Sequence, residues 1–234
     1  MNTQKTIPAL LALVLLTATR LCADFQSLKI EPTFIPQLSP AMWMDGVTEG
    51  RVVLAIAVSA EGKITDVLIL GTTHPALPGP CIDALKDWKI TPARLDGVPV
   101  PVQTDLAISY TAEGVVVSRS VSEGADLHVQ RIFGYRMVSK RVKADQLDAA
   151  PTPIAPTSPV YAKQAEKEGV RGKVKVHFYI DETGSVRMPA VEGDAHPYLS
   201  EMAVAAVRSW KFAPPTSHGK PVLIAASEEF DFSH

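Results

Sequence analysis

Gly172-Lys173-Val174-Lys175-Val176-His177-Phe178-Tyr179-Ile180-Asp181-Glu182-Thr183-Gly184 is the stretch on which the fold turns. Val174, Val176, Phe178 and Ile180 alternate with Lys173, Lys175, His177 and Tyr179, the period-two signature of a strand with one buried face. Asp181 to Gly184 then makes a turn, with Gly184 supplying a position open to positive φ. A second strand over 185–192 completes a hairpin, and Pro189 within it predicts an edge strand, because proline cannot donate to a ladder. After His196-Pro197 the period changes: Leu199, Met202, Ala203, Ala206, Val207 and Trp210 mark one face of a helix. A last strand is expected over about 222–232.

Working outward, the same arrangement recurs upstream at a constant offset. Gly50 meets Gly172, Gly62 meets Gly184, and His74-Pro75 meets His196-Pro197. Trp88-Lys89 meets Trp210-Lys211, Pro92 meets Pro214, and Pro99-Val100 meets Pro221-Val222. Across 50–110 against 172–232, 14 of 61 ungapped pairs are identical, too many at Trp, Gly and Pro positions for coincidence. Here the helical stations are Leu77, Pro80, Cys81, Ala84, Leu85 and Trp88, which puts Cys81 on the inward face, and the last strand falls at about 100–110. The expected fold is therefore α+β: two tandem strand-strand-helix-strand modules, each a three-stranded antiparallel sheet packed on a helix. In spatial order 2-1-3 the third strand lies at an open edge with unpaired backbone groups.

The expected divisions are a signal peptide at 1–23, module one at 25–111, a connector at 112–144 and module two at 145–234. Lys5, then the apolar run Ile7–Leu16, then Leu21-Cys22-Ala23 read as an export signal cleaved near Ala23; the run is short for a bilayer span. The signal carries Lys5 and Arg20 and no acid, so its removal takes the formal charge from −2 to −4. Such a weakly acidic protein has no electrostatic footprint for nucleic acid or anionic membranes. With Cys22 gone, Cys81 is the only cysteine and is read as an inert core thiol. In the connector, Glu113-Gly114 could turn the chain into Val115-Val116-Val117 as an extra strand on the edge of module one. Residues 125–147 have mixed periodicity, and Pro151, Pro153, Pro156 and Pro159 mark an extended lead-in. Val53, Ala55 and Ala57 replace the polar Lys175, His177 and Tyr179, so the outer sheet face of module one should be covered, by residues 112–140 or by module two.

Leu147-Asp148, Pro159-Val160-Tyr161, Gly169-Val170-Arg171-Gly172, the Gly184 turn, Ala206-Val207-Arg208-Ser209-Trp210-Lys211-Phe212 and Gly219-Lys220-Pro221-Val222 form a pattern in module two. By that pattern module two resembles the TonB C-terminal domain family. Module one carries it more loosely, as Gly50, Trp88-Lys89-Ile90, Pro92 and Gly97-Val98-Pro99-Val100. The resemblance implies a periplasmic domain that couples an inner-membrane motor to outer-membrane transporters, its third strand pairing with a short transporter peptide by β-strand addition. It implies a protein or peptide partner, no cofactor and no catalysis. The alternative is a soluble periplasmic scaffold or adaptor, or a homodimerising interaction protein, without energy transduction.

On this reading the partner-binding candidates are Val222, Ile224, Ala226, Glu228, Phe230 and Phe232 in module two, and Val102, Leu106, Ile108 and Tyr110 in module one. Gly50, Trp88, Pro92, Gly172, Gly184, Trp210 and Pro214 are structural candidates, the two tryptophans ending the apolar stripe of each helix. His74 and His196, each followed by proline, are read as shaping a turn and helix entry rather than binding metal. His128, His177, His218 and His234 are scattered; no Cys/His cluster has zinc spacing, and no nucleophile elbow or phosphate loop is present. Glu228, Glu229 and Asp231 are read either as guarding an exposed edge against aggregation or as selecting a basic or polar peptide.

Overall fold

The computed structural model describes residues 24–32, 36–111, 114–120, 138–160, 163–193 and 195–233. The expected signal peptide, with Lys5 and Cys22, lies outside them, as do much of the connector, Tyr161-Ala162, His128 and His234.

In chain order the elements are β1 (Phe25–Gln26), β2 (Lys29–Glu31), α1 (Pro40–Met44), β3 (Gly50–Val58), β4 (Ile64–Thr72) and α2 (Pro78–Leu85). Short strands β5 (Lys89–Thr91), β6 (Ala93–Leu95) and β7 (Val98–Val100) lead into β8 (Val102–Thr111) and β9 (Gly114–Ser120). Then come β10 (Val138–Ser139), β11 (Arg141–Val142), a 3-10 turn (Ala144–Gln146) and α3 (Lys163–Lys167). The remainder is β12 (Lys173–Ile180), β13 (Val186–Glu192), α4 (Pro197–Ser209), β14 (Thr216–Ser217), β15 (Lys220–Pro221) and β16 (Leu223–Asp231).

The protein is α+β, with two principal sheets. The first has five strands in the order β10-β4-β3-β8-β9, the second four in the order β11-β16-β12-β13. Within each, the strand before the helix hairpins with its predecessor, and the strand after the helix returns antiparallel to the first. Both sheets are wider than the three strands expected from periodicity: β9 and β10 extend one, β11 the other. β13, which contains Pro189, ends its sheet, as proline in a strand requires.

One face of the first sheet carries Val52, Leu54, Ile56, Leu106 and Ile108 against α1 and α2, through Met42, Cys81, Ala84 and Leu85. One face of the second carries Val174, Val176, Phe178 and Ile180 against α4, through Leu199, Ala203 and Val207. Each fully buried Leu or Ile contributes roughly 1.5–3 kcal/mol. Trp88 and Trp210 are buried in these two cores, and Trp210 donates from Nε1 to the Thr157 carbonyl at 2.9 Å, pinning the proline-rich lead-in across the end of α4. Where α4 begins at Pro197, α2 begins only at Pro78, because Pro78 and Pro80 would interrupt the backbone bonds of a helix started at Pro75. His196 Nδ1 accepts from the Tyr198 amide and His74 Nδ1 from the Ala76 amide, each at 3.3 Å, so both histidines shape the chain ahead of a helix.

A third apolar cluster joins the sheets: Val53, Ala55, Leu68, Leu70 and Ala107 meet Met188 and Leu223, with Tyr179 packed against them. The outer face of module one is thus covered by the second sheet, the second of the two alternatives its pattern left open. A one-residue register shift between β12 and β13 places Met188 at φ 49 opposite the strand, a bulge that turns its side chain into this junction. The Met188 carbonyl accepts from Gln103 Nε2 at 2.9 Å, and the Arg187 guanidinium binds both Asp66 of β4 and Asp181.

Candidate functional site

The parity of the β16 ladder defines the site. Phe232 N–H donates to Gly172 on the β12 side, whereas Leu223 N–H donates to Lys140 on the opposite side. Even-numbered residues of β16 therefore turn their N–H and C=O toward β12, and odd-numbered residues turn theirs away from it. On the outer side β11 pairs only with Leu223 and Ile224. The parallel bridge at Ile224 uses the Leu223 carbonyl and the Ala225 N–H, and beyond it, among the described residues, no strand pairs with Ser227 or Glu229 on that side. A row of backbone donors and acceptors is left facing outward.

The side chains follow the same alternation. Val222, Ile224, Ala226, Phe230 and Phe232 belong to the core under α4, so these five candidates support the edge from behind rather than forming its rim. Glu228 is the exception on that face and is exposed. The opposite face presents Ala225, Ser227, Glu229 and Asp231 beside Lys173 of β12. Lys173 Nζ lies 3.0 Å from Glu229 and 3.8 Å from Asp231, and the bond to Glu229 holds the ammonium above its ordinary range. Next to it Glu192 accepts from Lys175 and His177, which hold its carboxyl below the usual carboxylate range. Ala225 and Ser227 are residues that sequence reasoning missed, and Glu229 entered it for its charge alone. Periodicity reveals which face a side chain takes, but not which neighbour its backbone bonds.

The module-one edge is different. β9 pairs with β8 from Asp105 to Thr111, as the Val115–Val117 run suggested, so β8 is not an open edge there. Leu106, Ile108 and Tyr110 are buried in the first core, and Val102 packs against it. The expected place of Leu106, Ile108 and Tyr110 on a free edge is corrected accordingly, while Val102 lies before the paired stretch. Cys81 Sγ lies 2.9 Å from the Tyr110 hydroxyl, and burial pushes its thiol up to about 11.

The structural candidates come together at the close approaches. A Cβ on Gly184 (φ +80) would run into the Phe212 carbonyl next to Pro214; one on Gly62 would lie 2.5 Å from the Ile90 carbonyl and 3.3 Å from Pro92. A Cβ on Gly50 would meet Leu77 at 2.5 Å, and Gly172 approaches Leu199. Among the described residues no three His, Cys, Asp or Glu side chains are grouped to hold a metal, and no helix is long and apolar enough to cross a membrane.

The family model for the Gram-negative bacterial TonB protein C-terminal matches residues 40–112 and 157–233. This chain belongs to the TonB C-terminal family. Protein TonB of Vibrio cholerae serotype O1 (strain ATCC 39315 / El Tor Inaba N16961) is 36% identical over 67 residues, 28% of this chain and 28% of that relative. This TonB-type chain thus spans little over a quarter of the curated relative it matches. The solution NMR structure of the Pseudomonas aeruginosa TonB CTD shares 31% identity, covering 36% of this chain and 87% of that one, with a TM-score of 0.32.

Proposed function

We propose that this is an exported, periplasmic TonB-type protein of two tandem modules, 25–111 and 145–234, that receives an extended peptide of a partner protein on β16. The observation that carries this reading is the asymmetry of the two third strands. β8 is closed by β9 from Asp105 to Thr111, while among the described residues no strand takes the outward backbone groups of β16 at Ser227 and Glu229. Strand addition needs such a row: the main chain gives affinity and alternate side chains give specificity. In the setting the family implies, the partner is an outer-membrane transporter and the bound strand transmits force for transport. No catalytic role is proposed.

The parity of the ladder supplies the experiment. Ser227→Pro removes an outward N–H and leaves the β12 ladder whole; Glu228→Pro removes a ladder donor and should cost about 3 kcal/mol. Random short peptides displayed against the protein should yield binders that lose affinity on Ser227→Pro at unchanged melting temperature. Binders indifferent to that substitution would sink the β16 reading.

A scaffold or self-associating role has one observation of its own. Phe25, Leu95 and Val98 form a cross-strand row on the small sheet β1-β6-β7, and all three are exposed. Sedimentation of Phe25→Ser beside the parent decides it: a dimer lost in the variant would favour this role over peptide reception.

A further inference from the structure

We propose that the strand received on β16 is a basic one, placing Lys or Arg on the outer sheet face and β-branched or small residues on the helix face. This rests on the reading of β16 as a receiving edge. Its template is the chain's own β11, which already occupies the first two positions of that edge. Arg141 pairs with Leu223 and Val142 with Ile224, parallel to β16, and Leu223 N–H donates to the Lys140 carbonyl at 3.3 Å. Around it the sequence reads Ser139-Lys140-Arg141-Val142-Lys143, three cations about one valine. The Arg141 guanidinium hydrogen-bonds the Tyr179 hydroxyl on the outer face, while Val142 stands level with Ile224, whose side chain enters the core. The edge thus accepts cation-outward, β-branched-inward pairing.

The free length beyond β11 continues the same chemistry. Ala225 and Ser227 are small and leave room for long side chains on the outer face. Glu229 and Asp231 follow on that face and Glu228 on the other. Against these three acids stand Lys173, shared between Glu229 and Asp231, Lys175, which lies opposite Glu229 but is held by Glu192 at 2.8 Å, and Arg171, whose guanidinium donates to the Ser233 carbonyl at 3.2 Å. An acid surplus remains at the far end of the edge. The same charges repel a second copy of β16, so guarding against self-pairing and selecting a basic strand are one electrostatic property. From the Ala225 carbonyl to Glu229 the outward groups span roughly 17 Å at about 3.3 Å per residue, which sets the shortest partner segment.

Two fluorescent peptides of about nine residues test this, one alternating Val with Lys and the other Val with Glu, titrated by anisotropy against the full chain. The Lys peptide should bind about tenfold more tightly at low salt, a margin that shrinks as salt screens the exposed charges. Glu229→Lys with Asp231→Lys should reverse the order, and Glu228→Gln should narrow it, with circular dichroism unchanged. Equal affinity, preference for the Glu peptide, or failure of the Lys peptide to bind overturns the basic partner. If Ser227→Pro abolishes whatever binding is seen, the receiving edge itself stands. Lys-peptide binding untouched by Ser227→Pro overturns both.

Discussion

Gly184 sits at φ +80 with the Phe212 carbonyl where a Cβ would go, while Gly193 has a similar φ of +76 and open space around it. Gly184→Ala should therefore cost more than about 2 kcal/mol, backbone strain plus a displaced strand, and Gly193→Ala only about 1 kcal/mol. Thermal unfolding of the two variants separates clash from conformation. Beside Gly184, burial acts to raise the Asp181 carboxyl, but bonds from the Thr183 hydroxyl, the Ser185 and Thr183 amides and Arg187 outweigh it and leave the acid below its ordinary value. A depressed folded pKa contributes stability that is whole above the unfolded value of about 3.9 and is lost as pH falls through the folded one. Urea midpoints should fall below about pH 4, and less steeply in Asp181→Asn. Cys81, its thiol pushed up to about 11, should resist iodoacetamide at neutral pH in a Cys22→Ser chain until denaturant is added. At this scale much was legible in the sequence. The paired glycines, the prolines after each tryptophan and the inward cysteine all sit at repeat positions. Asp66 and Arg187 were not legible as partners, because no local pattern relates groups 121 residues apart.

Elements with many residues per period announce themselves; elements of two residues do not. α4, β12 and β16 could be read from alternation and the 3.6 period, whereas β10 and β11 fall in the stretch of mixed periodicity. The consequence fell on the candidate edge. Alternation points to the even-numbered residues of β16, whereas the outward groups belong to the odd ones, because only the register against β12 fixes which side a backbone faces. The β13 bulge is another feature without a sequence signal beyond Pro189. Met188 there takes a backbone conformation rare for a side chain of its size, and the junction contacts hold it. Met188→Ala should cost about 2–3 kcal/mol, measured by denaturant unfolding. Alanine keeps the Cβ and with it the backbone strain, so a value near zero would mean that the junction does not depend on the Met188 side chain.

Across the whole molecule, the sheets share the cluster around Leu70, Met188 and Leu223, the Arg187 clamp and the consecutive strands β10 and β11, one in each sheet. Such a junction should make the chain unfold as one unit. Leu70→Lys, which puts a charge into that cluster, should split one calorimetric transition into two. A single transition, merely lowered, would show that the rest of the junction suffices. The apolar Val53, Ala55 and Ala57 row foretold a covered face, but not the segment that laces it: Lys140 donates its N–H to Leu70 and accepts from Leu223. That lacing has a consequence in the order of synthesis. Ribosomes make the first sheet's inner strands early, and those strands can close on α2 at once. Their outer face must wait for Met188 and Leu223, the latter in β16, so newly made chain carries a bare apolar surface until β16 arrives. A truncation before Leu223 should therefore bind holdase chaperones and aggregate even though its first core is complete.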